Sequence, residues 1–82
     1  MAKAVFGGMP QWLLEDYLIE LGGARTADGA IAGEGWHAIL TARRDGHGAP
    51  GLGITRVEVR IEGSSADATL AALRTKAQRG GG

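Results

Sequence analysis

Residues Arg56 to Glu62 alternate without a break: Val57, Val59 and Ile61 are apolar, while Arg56, Glu58, Arg60 and Glu62 are charged. Successive side chains of a strand point to opposite faces, so this pattern demands an antiparallel sheet with one dry and one wet face. A dry face needs a cover, and two stretches of helical periodicity supply it. Leu13, Leu14, Tyr17, Leu18 and Leu21 recur along one helix face. Pro10 suits the first turn, because its φ is already helical and its missing N–H is one the helix leaves unpaired. Gly22-Gly23 supplies a left-handed stop. A second helix begins at Ser64 or Ser65, both capping residues, with Asp67 in its first turn and Arg74, Lys76 and Arg79 in its last, each suited to the helix dipole. Its apolar positions are Ala66, Leu70, Leu73 and Ala77.

The remaining strands are less sharply marked. Ala2 to Phe6 is a short extended segment ended by Gly7-Gly8, and Trp36 to Arg43 is a strand rich in apolar side chains. Between them, Ala24 to Gly35 is small and glycine-interrupted, supporting only an edge strand around Gly29 to Ala32. Arg44 to Pro50 has turn chemistry, and Leu52 and Ile54 extend the final strand backwards. The order is strand, helix, three strands, helix: an α+β domain whose two helices cover one face of an antiparallel sheet. With 82 residues and 44% apolar side chains, the chain supports one core, expected over residues 1–79, with residues 80–82 a flexible glycine tail. No internal repeat is visible.

Composition removes several classes of function. Nine basic and nine acidic side chains leave a formal net charge of zero, so no global field draws nucleic acid or an anionic membrane. Residues 1–35 are the acidic part, through Glu15, Asp16, Glu20, Asp28 and Glu34, and residues 36–82 are the basic part. The absence of cysteine excludes a disulfide framework, a thiolate metal site and a cysteine nucleophile. No stretch reaches the roughly 20 apolar residues that span a bilayer, and Met1 to Phe6 is too short for a signal peptide; a cytoplasmic protein is expected. His37 and His47 lack metal-ligand spacing to a second strong ligand. Ser64 and Ser65 are better placed as caps than as nucleophiles, and the adjacent Glu15 and Asp16 diverge around their helix onto a solvated face. Gly33-Glu34-Gly35 and Gly51-Leu52-Gly53 continue to neither a third glycine nor a lysine, so nucleotide binding is not supported. No catalytic residue, metal or cofactor is expected.

Three surface features remain. Trp12 and Ile19 share a helix face away from the leucine stripe, which suits a partner protein or a homodimer contact, or else deeper burial of the helix. Tyr17, Trp36, Ile39 and Val57 are candidates to line a small-molecule or peptide pocket between sheet and helix. Glycine is about twice as frequent as usual, at 15 residues, and the chain ends Arg79-Gly80-Gly81-Gly82. A tail without side chains threads a narrow active-site channel, and its carboxylate can be adenylated and then converted to a thioester or thiocarboxylate. The plain alternative is a frayed terminus with Gly80 as the helix stop. Arg74, Lys76 and Arg79 would steer such a tail towards an acidic partner.

The segment Phe6-Gly7-Gly8-Met9-Pro10-Gln11-Trp12-Leu13-Leu14-Glu15-Asp16-Tyr17-Leu18, closed by Gly22-Gly23, resembles the start of the domain of unknown function that follows the ubiquitin-like domain in MoaD-related proteins of Thermus-type bacteria. Arg56 to Gly63, the helix after it and the triple-glycine ending resemble the end of that domain. The resemblance is strongest at Phe6 to Gly23 and Val57 to Gly63, and weak from Ala24 to Pro50. It implies a strand, helix, four-strand, helix order, written β-α-β-β-β(-β)-α when set beside the residue-level reading, and a fold like that of the TATA-binding protein, without DNA binding. It also implies a small non-enzymatic accessory or carrier-like domain linked to molybdopterin biosynthesis and sulfur transfer. Gly81 and Gly82 are then the candidate activated terminus, and the candidate partners are an activating adenylyltransferase or a molybdopterin-synthase-type protein. In those fusions the recognised carrier tail belongs to the preceding ubiquitin-like domain. The chain is therefore expected to be either a stand-alone relative or the C-terminal half of a longer protein. A binding module or a structural dimerisation domain are the alternatives.

Overall fold

The alternation around Val59 builds the middle of a five-stranded sheet. The computed structural model describes residues 1–45 and 54–80. Along the chain it runs β1 (Ala2–Gly7), α1 (Gln11–Glu20), β2 (Ala24–Arg25), β3 (Ile31–Gly33), β4 (Trp36–Asp45), β5 (Ile54–Glu62) and α2 (Ala66–Gly80). The strands lie in the order β1-β5-β4-β3-β2, and every pairing is antiparallel. The architecture is α+β, as the residue pattern requires.

Register sorts the side chains. Ala38 pairs with Ile61 and Leu40 with Val59, while Ala4 pairs with Val59 and Phe6 with Val57, so these apolar residues share one face. Both helices pack on it. Leu14 and Leu18 of α1 and Leu70 and Leu73 of α2 join Ile31, Trp36, Val57, Val59 and Ile61 in the core. Removing such side chains from water is the main favourable contribution to folding.

Several boundaries differ from the sequence expectation. Pro10 sits just outside α1 in extended conformation, with ψ at 153°, so it caps the helix rather than beginning its first turn. β4 continues through Arg44 and Asp45, because both remain paired, with Thr55 and Ile54. The strand expected at the edge is β3, at Ile31–Gly33, but it lies inside the sheet, because a further two-residue strand, β2, pairs outside it and forms that edge. α2 includes Gly80, so the helix does not stop there. Leu52, His47 and the Gly51-Leu52-Gly53 fragment lie outside the described residues.

The double glycine after α1 has two jobs. Gly22 takes φ +103°, and its N–H donates to Ile19 O at 3.0 Å while the Gly23 N–H donates to Leu18 O at 3.0 Å, a paired closure that satisfies carbonyls at the helix end. Gly23 instead makes room: a Cβ there would lie 2.6 Å from both Ile31 Cγ2 and Trp36 Cη2. At Gly33 an added Cβ would overlap the same indole. Gly23 and Gly33 therefore form a seat for Trp36.

Candidate functional site

α1 and α2 lie side by side on the sheet, and the end of α2 that leads to the glycine tail meets the end of α1. Leu70, Leu73 and Ala77 hold α2 against the core almost to its last turn. Between the helices is a shallow recess lined by Tyr17, Glu20, Thr75, Lys76 and Arg79. Lys76 Nζ donates to Glu20 Oε1 at 3.0 Å. Of the three cations expected to steer the tail, Lys76 is thus engaged by a carboxylate of the other helix, while Arg74 and Arg79 are exposed. Exposed ion pairs of this kind contribute little to stability; this one sets where the positive charge at the end of α2 remains available. Gly81 and Gly82 lie outside the described residues.

The structure redistributes the other candidate residues. Trp12 is exposed, at 61%, whereas Ile19 packs partly against the core, so the pair is not one exposed patch. The deeper burial weighed from sequence applies to Ile19 alone. The residues proposed to line a pocket do not converge. Trp36 and Val57 are buried in the core, Tyr17 sits in the recess beside Lys76, and Ile39 lies on the opposite face of the sheet, paired with Arg60 and 44% exposed. The reason is the pleat: Ile39 falls between Ala38 and Leu40, which face the helices.

Glu15 and Asp16 are not simply solvated. Arg25 Nη2 reaches Glu15 Oε1 at 3.4 Å and Asp16 Oδ1 at 3.5 Å, and Gln11 Nε2 donates to Glu15 Oε2 at 2.9 Å. One guanidinium thereby ties β2 to α1. Glu20 and Thr75 are recess residues that sequence reasoning passed over. No local signal could have found Glu20 as the partner of Lys76, since the two are 56 positions apart.

The uncovered face of the sheet carries its own charge pattern. Glu58 Oε1 lies 3.0 Å from Lys3 Nζ, and its other oxygen lies 3.6 Å from Arg43 Nη2. The hydrogen bond from Lys3, with the positive charges of Lys3, Arg43 and Arg60, holds the Glu58 carboxyl below the usual carboxylate range against the opposing effect of desolvation. Among the described residues, no group of three or more metal-ligating side chains comes together, no buried side-chain polar atom lacks a partner, and no helix is long and apolar enough to cross a membrane.

Comparison with known proteins adds one positive finding. A model of the family described as archaeal MoaD-like protein matches residues 2–82. No curated protein matches the chain.

Proposed function

The chain belongs to the archaeal MoaD-like protein family, and from that premise we propose that it is a non-enzymatic, carrier-like partner in sulfur transfer linked to molybdopterin. Membership associates it with sulfur-carrier and molybdopterin systems. The finer reading is that the Gly82 carboxylate is the group that reacts. A carboxylate oxygen attacks the α-phosphorus of ATP and pyrophosphate leaves; hydrosulfide then attacks the acyl carbon of the adenylate and displaces AMP, losing its proton to leave a thiocarboxylate. An activating adenylyltransferase would supply the first step, and a molybdopterin-synthase-type protein would be the recipient. The close relation to the Thermus-type fusion domain and to the TATA-binding-protein fold belongs to the same proposal.

One observation carries this reading: the family match extends to residue 82, across a helix anchored in the core by Leu70 and Leu73 and on into the Gly81-Gly82 pair. The helix offers a rigid handle, and glycine offers no Cβ to obstruct a narrow channel. Arg74 and Arg79 beside it suit an acidic rim on the activating enzyme.

Incubation with ATP, a cognate activating enzyme and sulfide as the sulfur source, followed by intact mass spectrometry, tests the proposal. The expected product is a thiocarboxylate heavier by about 16 Da, sulfur replacing oxygen at the terminus, and removal of Gly81-Gly82 abolishes the gain. An unchanged mass in the full chain, under conditions that convert a known carrier, rejects it.

A further inference from the structure

The two edges of the sheet are built differently. At one, β2 is two residues long, and its Arg25 is drawn onto Glu15 and Asp16 of α1, so it offers little for another strand to extend. At the other, β1 runs six residues, Ala2–Gly7, and pairs with β5 at every one of them without a bulge. Alternate residues of an edge strand turn their N–H and C=O groups outwards. Among the described residues, no backbone hydrogen bond from another segment reaches this outer side of β1. Lysine and proline are the usual guards of an edge. β1 has no proline, and its one charged residue, Lys3, is held inwards, 3.0 Å from Glu58 of the neighbouring strand. Met1 and Val5 are exposed beside it.

We propose that β1 pairs antiparallel with β1 of a second copy of this chain, joining two five-stranded sheets into one about a two-fold axis at Ala4. Centring the axis there sets Ala2 across from the partner's Phe6, and Lys3 across from the partner's Val5. Residues of the covered face then meet their own kind, and the lysine stem lies along an aliphatic side chain. The two lysines do not face each other, and with a net charge of zero the copies carry no overall repulsion.

The flank of α2 selects a second copy over any other strand. α2 lies over β1 and β5, with Thr75, Lys76 and Arg79 lining the recess against α1. Helical periodicity puts Asp67, Ala71, Arg74 and Gln78 on the opposite flank, above the free edge, and all four are exposed. Among the described residues, neither Asp67 nor Arg74 takes part in an ion pair. Continuing the sheet brings the two copies of α2 antiparallel and about 10 Å apart, the ordinary spacing of packed helices. β5 delivers the chain to α2 beside the start of β1, since Ala2 pairs with Ile61. From those starts, Ala4 lies about 7 Å along β1, and the midpoint between Asp67 and Arg74 about 7 Å along α2. The axis at Ala4 thus passes close to Ala71, whose small side chain permits close approach, and sets Asp67 of each copy against Arg74 of the other. A foreign strand would satisfy the edge but not this flank. With both β1 edges used, only the two short β2 edges remain, so the assembly closes as a dimer. Arg79 and the tail lie beyond the paired stretch, so this proposal and that for the terminal carboxylate fail separately.

The test is analytical ultracentrifugation of the full-length chain from micromolar to millimolar concentration, where a monomer–dimer equilibrium is expected. Asp67→Arg and Arg74→Asp each place like charges across the axis and should weaken dimerisation about tenfold or more. The variant carrying both should regain wild-type association, because the pair re-forms with its signs exchanged. Hydrogen exchange on the wild-type chain gives a reading that needs no variant: the outward amides of β1 should gain protection as concentration rises, while those of β2 do not change. A chain that stays monomeric at millimolar concentration overturns the proposal. So does a dimer that both single reversals leave intact, or one that forms without added protection on β1. A monomer whose β1 amides are protected only when an extended peptide is added assigns the edge to a foreign strand, and equally overturns it.

Discussion

On β5, Val57, Val59 and Ile61 are fully buried under the two helices, whereas Arg56, Arg60 and Glu62, each one residue away, are exposed. The same backbone serves two surfaces with opposite physics. On the covered face, energy comes from contacts that exclude water and depend on shape; on the open face, charges a few ångströms apart are screened by solvent and contribute little to stability. The difference teaches that the tolerance of a position here follows its parity along the strand. Its element, or its distance from either end of the chain, matters far less.

The comparison is broken most directly by moving a charge across the sheet. Val59→Asp, which places a carboxylate in the core without a partner, should cost about 4 kcal/mol or more; a urea melt that shifts by less than half of this would mean the covered face is wetter than described. Leu73→Ala, which empties a fully buried position of α2, is expected to cost about 3 kcal/mol, read from the same melt. Gly63→Ala should cost about 2 kcal/mol. At φ +121° its new Cβ would press on the backbone of Gly35 and lie 2.9 Å from Trp36 Cα, at the corner where β5 turns into α2. Wild-type stability for Gly63→Ala would show that this corner yields easily.

Two milder changes sharpen the open side. The Glu58 carboxyl is depressed below its ordinary range by Lys3 and its cationic neighbours. Its contribution is therefore present above about pH 5, where the unfolded carboxylate is already ionised, and is lost as pH falls through the folded-state value. Glu58→Gln should flatten part of the acid limb of a stability-versus-pH curve. Some acid sensitivity remains, because Asp28 is also depressed, chiefly by the hydroxyl hydrogen bond from Thr26. An acid limb identical to wild type would remove Glu58 from the account. The smallest effect is expected for Ile39→Ala, within about 0.5 kcal/mol of wild type; a loss comparable to that of Leu73→Ala would place Ile39 in a core after all.

Legibility from sequence followed the range of the interactions. The leucine stripe of α1, the stop at Gly22 and the alternation of β5 are local patterns, and each corresponds to an element. β2 was not legible: two residues, Ala24 and Arg25, pair with β3 without any periodicity long enough to detect. The candidate site was legible only in pieces. Lys76 and Arg79 stood out by their place near the helix end, but their recess mates Tyr17 and Glu20 come from the other helix. Ile39 was assigned to a pocket because it is apolar, yet the pleat turns it to the open face.

The amino-acid sequence by itself determined that this chain forms an antiparallel sheet covered by two helices, because side-chain periodicity expresses backbone geometry over a few residues. The family match to residues 2–82 likewise rests on the sequence alone. Only the tertiary structure decided which charges share a surface. Lys3 from the first strand joins Arg43, Arg56 and Arg60 from the fourth and fifth, and Lys76 finds Glu20 across the helix pair. Net charge is a sum over residues and carries no information about direction; strand register and helix packing supply the direction, and they decide which unlike charges of a neutral chain meet on either side of a dry core.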